Sequence, residues 1–177
     1  AAEAVMAEME AAGVSPNVVT YASLLKLQRG ESLGRTWDAM LAAGAAPNAV
    51  VFSTVLGALA RSTEPDMAAT ALLGRVLDSL QPRHVNGYVI SAGASALAAL
   101  VPRGDGRQLR VLDALIALAP KGTQVELARF PCKRVGRLLG AADGGEEAAC
   151  GEYLQRAGLR VTAGGGRGSG ARACGKG

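Results

Sequence analysis

Apolar residues recur along this chain at helical rather than alternating spacing. Leu109, Leu112, Leu115 and Ile116 fall on one helix face, and Trp37 with Met40 forms an i,i+3 packing pair. The pattern is also duplicated: the segment Glu8–Tyr21 returns as Ala39–Phe52. In each copy an apolar helix end runs through Met into Gly, a short loop carries Pro-Asn, and a new helix opens toward an aromatic residue. Gly suits the left-handed position just past a helix end, and Pro keeps that helix from continuing. Repetition of both signals predicts stacked helical hairpins.

With Gly13 and Gly44 as helix ends, further ends are expected near Ser79–Pro82, Ala119–Pro120 and Gly158, about 31 to 39 residues apart. That is the period of two-helix solenoid units. Tyr21, Phe52, Tyr88 and Phe130 fall one per unit near the start of each first helix, where a partner helix must be met, so they are expected in the core. The pattern predicts a half-unit over 1–12 and hairpins over about 18–44, 49–81, 85–119 and 124–158. Turns are expected at Gly30, Ser62–Asp66, Pro102–Gly106 and Asp143–Glu146, the last with Asp143 as cap and Glu146 completing a capping box.

The register Met-x-x-x-Gly-x-x-Pro-Asn-x-Val-x-aromatic resembles the junction between successive pentatricopeptide repeats. The resemblance is strong over residues 1–83 and weaker beyond. It implies an all-α fold, a right-handed superhelical solenoid of antiparallel two-helix repeats. Residues 1–83 are then repeats, and 84–159 are diverged hairpins or a C-terminal helical cap. The same resemblance implies binding of single-stranded organellar RNA, in a chloroplast or mitochondrion, to protect, process or help translate a transcript. In this family each first helix faces RNA, with about one base read per repeat by two or three side chains. Carried onto this chain, the reading pairs are Ala22 with Asn48 and Ser53 with Arg83, with Asn17 closing the half-unit. In the later hairpins Val89 and Pro131 fall at the reading positions. The alternative is a protein scaffold that contacts other proteins of a ribosome or another ribonucleoprotein complex.

Composition narrows the rest. Ala dominates the apolar set, which favours helices in close, shallow contact. The longest apolar stretch, Ile90–Val101, is too short to cross a bilayer, so no membrane partner is expected. The chain opens without Met inside the second helix of a hairpin, so upstream residues are expected to be missing. Cys132, Cys150 and Cys174 match neither zinc-ligand nor disulfide spacing and are expected as reduced thiols; with His84 the single histidine, neither a metal site nor a catalytic triad is expected. No paired carboxylates or nucleophile motif suggest an enzyme, a cofactor or a small-molecule substrate.

The net charge of +4 is uneven. Residues 1–80 hold five basic and eight acidic side chains, while 81–140 hold nine basic and three acidic, so phosphate contacts are expected in the middle of the chain. Lys133, Arg134 and Arg137, with Lys133 and Arg137 four apart on one helix face, are the candidate backbone contacts. Residues 160–177, Gly-rich with four basic residues and no acidic one, are expected to be a disordered tail.

Overall fold

Asparagines start three of the helices. In the structure, a computed structural model describing residues 2–62, 67–101 and 107–162, Asn17 opens α2 (Val18–Leu27), Asn48 opens α4 (Ala49–Ala60) and Asn86 opens α6 (Gly87–Leu100). Asn17 Oδ1 accepts from the backbone N–H groups of Val19 (2.9 Å) and Thr20 (3.1 Å). Asn48 Oδ1 accepts from Val50 and Val51, and Asn86 Oδ1 from Val89. Each cap satisfies amides that a helix start leaves without partners.

The duplicated junction ends helices by one device. After α1 (Ala2–Ala11) and α3 (Gly30–Ala42), Gly13 and Gly44 take positive φ of 68° and 71°. The next amide then reaches back to a Met carbonyl, Val14 to Met9 (2.8 Å) and Ala45 to Met40 (3.1 Å). A side chain at φ > 0 would be strained, which is why both copies need Gly.

The chain is all-α in its architecture: hairpins α2–α3, α4–α5 (Met67–Asp78) and α6–α7 (Arg107–Ala117) stack as a solenoid. First helices pack on first helices, α2 on α4 and α4 on α6, and α3 packs on α5. Trp37 of α3 and Phe52 of α4 meet with ring centroids 5.8 Å apart, and the His84 ring lies 5.0 Å from that of Phe52. Trp37 and Phe52 are essentially fully buried. The turns expected at 63–66 and 102–106, with Arg103, lie outside the described residues, as does the tail from 163 onward.

Three expectations are corrected. Tyr88 is 60% exposed rather than core. Because Asn86 caps α6, the core position four residues past the cap, held by Tyr21 and Phe52 in the earlier hairpins, falls to Ile90. Tyr88 stands two past the cap with Val19 and Val50, which are 72% and 63% exposed. Second, the segment after α7 does not begin with a long helix. A strand β1 (Gln124–Glu126) and a 3-10 turn (Leu127–Arg129) precede two short helices, α8 (Cys132–Leu138) and α9 (Glu146–Arg156). Asp143 does not cap α9: Gly144 at φ 86° places Gly145 at the cap, and the Glu146 carboxylate folds back to accept from the Gly144 N–H (2.9 Å). Third, Arg160–Thr162, placed at the head of a disordered tail, form strand β2, parallel to β1 with Val125 opposite Val161. Leu159 and Val161 give this short segment apolar surface to bury, which the Gly-rich sequence behind it lacks.

Candidate nucleic-acid interface

The exposed edges of α2 and α4 form an open groove of about 610 Å³. The two positions expected to read bases, Ala22 and Ser53, both lie in it, each five residues past its capping Asn. Ala22 offers no hydrogen-bonding side chain. The Ser53 hydroxyl donates to the Val50 carbonyl (3.0 Å), leaving its lone pairs as acceptors. Val19 and Val50 add apolar surface beside them.

Three cations that the charge pattern of the sequence does not single out line the same groove: Lys26, Arg29 and Arg61. Among the described residues no acidic one lines it. Burial first, and the neighbouring Arg29 guanidinium second, hold the Arg61 guanidinium below its ordinary value. Arg61 remains charged, since an arginine does not deprotonate in a protein. Two guanidinium groups that repel each other in a groove without a carboxylate are relieved by an anion that lies between them. Lys26 lies in the last turn of α2, Arg29 in the turn that leads into α3, and Arg61 just past the end of α4, so the cations cluster at one end of the groove.

The other candidate residues stand elsewhere. Asn17 and Asn48 spend their side-chain oxygens on helix caps and do not line the groove. Arg83 sits in the 3-10 turn Pro82–His84, where its Nε donates to His84 Nε2 (3.1 Å), and is not part of the groove either. Lys133, Arg134 and Arg137 line a separate surface of about 490 Å³ beside Glu147. There Arg137 pairs with the buried Glu146 carboxylate at 3.2 Å, so part of the positive charge is already neutralised.

The third hairpin differs in what covers it. Five residues past Asn86 the equivalent of Ser53 is Ser91, not the expected Val89, which is buried in the core. Where a following first helix would lie, β1 crosses α6, and a cavity of about 680 Å³ opens between them, lined by Tyr88, Ser91, Gln124, Glu126, Arg129 and Thr162 among others. Recurrence of the capping Asn at 17, 48 and 86 is the sequence signal that sets this register.

Among the described residues no group of three or more His, Cys, Asp or Glu side chains could hold a metal ion, and no helix is long and apolar enough to cross a membrane. Residues 4–61 match the family model of the pentatricopeptide repeat domain. No curated protein and no solved structure matches the chain.

Proposed function

We propose that this chain binds single-stranded RNA along the α2–α4 groove, a reading supported by the match of residues 4–61 to the model of the pentatricopeptide repeat domain, a family that is generally RNA-binding. The observation that carries the proposal is the clustering of Lys26, Arg29 and Arg61, with no acidic lining residue among those described, in the groove that also holds Ala22 and Ser53. Phosphates lie against the three cations, and a base edge meets Ser53. Ala22 imposes no hydrogen-bond preference, so base selection at that repeat is weak. Proteins of this family are mostly organellar, and the proposed target is a chloroplast or mitochondrial transcript that the bound protein protects, processes or helps to translate.

The test is binding of the chain to a pool of single-stranded RNA at two salt concentrations, beside a Lys26/Arg29/Arg61→Ala triple variant. Binding that weakens in the variant and loses salt dependence supports the proposal. Equal binding by the two proteins, or none by the native chain, refutes it and turns attention to the scaffold reading.

A further inference from the structure

The α8–α9 unit brings two thiols together. A Cβ on Gly136 would overlap the Glu146 backbone, so the two helices touch there. Cys132 stands four residues before Gly136 and Cys150 four after Glu146, each one helical turn from the contact on the same helix face. Both are free thiols, both are buried in the core, and the Cys150 thiol acts directly on Cys132. A disulfide needs its two Cα atoms about 4.4–6.8 Å apart, and helix backbones in contact one turn away provide that setting.

The two thiols are not equivalent. Cys150 is fully buried, whereas Cys132 also lines the 490 Å³ hollow that holds Lys133, Arg134 and Arg137. The Cys132 thiol donates only to the Leu127 carbonyl at 3.7 Å, a weak bond to give up. Burial pushes both thiols above their ordinary value, and the Glu147 carboxylate adds to this. The Cys150 thiol opposes burial at Cys132, while Cys132 pushes Cys150 further up, so Cys132 ionises first. The thiolate is the attacking form, so Cys132 is both the reactive sulfur and the one that a reagent can reach. Lys133 and Arg134 are exposed in the same hollow and favour a reagent that carries carboxylates over a neutral one.

We propose that Cys132 and Cys150 form an oxidisable pair, modified through the cationic hollow by a small anionic disulfide and closed into a bridge that fastens α8 to α9. The Cys132 thiolate attacks one sulfur of the reagent, whose S–S bond breaks, and one thiol leaves with the proton that Cys132 gave up. Cys150 then attacks the Cys132 sulfur, the mixed disulfide breaks, and the second thiol leaves with the Cys150 proton. In sum the two protein thiols lose two electrons and two protons, and the external disulfide is reduced to two thiols. Because burial keeps both thiols protonated, the bridge forms slowly and acts as a latch rather than a rapid sensor.

The probes are oxidised glutathione, which carries carboxylates, and 2-hydroxyethyl disulfide, which carries none. Each acts on the whole folded chain with Cys174→Ser, since Cys174 lies outside the described residues. After acid quenching and alkylation, mass spectrometry is expected to find a bridge joining the Cys132 and Cys150 peptides. In Cys150→Ala the reaction should stop at a glutathione adduct on Cys132, and in Cys132→Ala Cys150 should stay reduced. A Lys133/Arg134→Ala double variant, at exposed positions, should slow oxidised glutathione by about ten-fold at low salt, the lower end of the range for electrostatic steering, and leave the neutral disulfide unchanged. Hydrogen exchange at Val135 and Leu154 should slow on oxidation and recover on reduction. Two thiols still reduced after prolonged exposure of the folded chain overturn the pair, as does a lasting adduct on Cys132 with Cys150 present. This mapping decides the matter even if a buried Cys→Ala variant unfolds. Equal rates for native and double-variant chains overturn the hollow as the route, and faster exchange on oxidation overturns the latch.

Discussion

Gly87 and Gln124 are held in backbone contact: a Cβ placed on Gly87 would overlap the Gln124 carbonyl oxygen. This approach lets β1 cross the first turn of α6 and close the solenoid. Backbone cannot yield as a flexible side chain does, so Gly87→Ala must push β1 away. We expect a destabilisation of about 1–3 kcal/mol, the usual range for overpacking, and faster amide hydrogen exchange at Arg160, whose N–H donates to the Thr123 carbonyl across the ladder (2.9 Å). Gly93→Ala, which would meet mainly the end of the Leu115 side chain, is the control and should cost less. Equal effects of the two substitutions would refute the argument.

Removing the capping asparagines separates a structural role from a reading role. Asn17→Ala and Asn48→Ala each delete a side-chain acceptor for two backbone amides and should destabilise the fold by about 0.5–2 kcal/mol in chemical denaturation. The bases preferred in an RNA selection should stay the same. A changed preference with unchanged stability would restore Asn48 as a base reader.

Much of the fold is legible in the sequence because its signals are local. Gly13 and Gly44 end helices through their own φ, and Asn17 and Asn48 start helices through their own side chains. Register in the third hairpin is less legible, since Tyr88 looks like the recurring aromatic until Asn86 is recognised as the cap that makes Ile90 its equivalent. The β1–β2 ladder is not legible at all. Its three-residue strands, Gln124–Glu126 and Arg160–Thr162, are too short to alternate visibly, and they pair only because α8 and α9 bring them together. Charge is a further case: counting by window favours residues 81–140, whereas folding also gathers Lys26, Arg29 and Arg61 from the acidic N-terminal part into a groove that no acidic residue lines among those described.

Two basic surfaces can therefore be ranked. Lys133/Arg134/Arg137→Ala should weaken RNA binding less than Lys26/Arg29/Arg61→Ala, because Arg137 is already paired and Glu147 lines the same surface. For a single strand, each phosphate that a variant no longer neutralises should lower the slope of log affinity against log salt by about 0.7. The groove variant should drop by up to about three such steps, one for each cation removed, and the α8 variant by fewer. Salt titrations of the native chain and the two variants test the order, and its reversal would move the RNA track to α8.

Acid should loosen the α8–α9 unit before the solenoid. A Cβ on Gly136 of α8 would overlap the Glu146 backbone, so the two helices touch at that point and any shift of Glu146 is felt by both. The Glu146 carboxyl is held below its ordinary value of 4.5, chiefly by its own backbone N–H and further by the Gly144 N–H and Arg137, against an opposing effect of burial. A depressed folded value means that the unfolded chain binds more protons in this range, so stability rises with pH. The contribution is complete above the ordinary value and is lost as pH falls below about 4.5 through the lower folded value. Hydrogen exchange at Val135 and Leu154 should accelerate across that window while exchange at Leu56 stays slow. In Glu146→Gln, which keeps the size of the side chain but cannot titrate, the acceleration should disappear. An unchanged acid response in the variant would show that another carboxylate governs this unit.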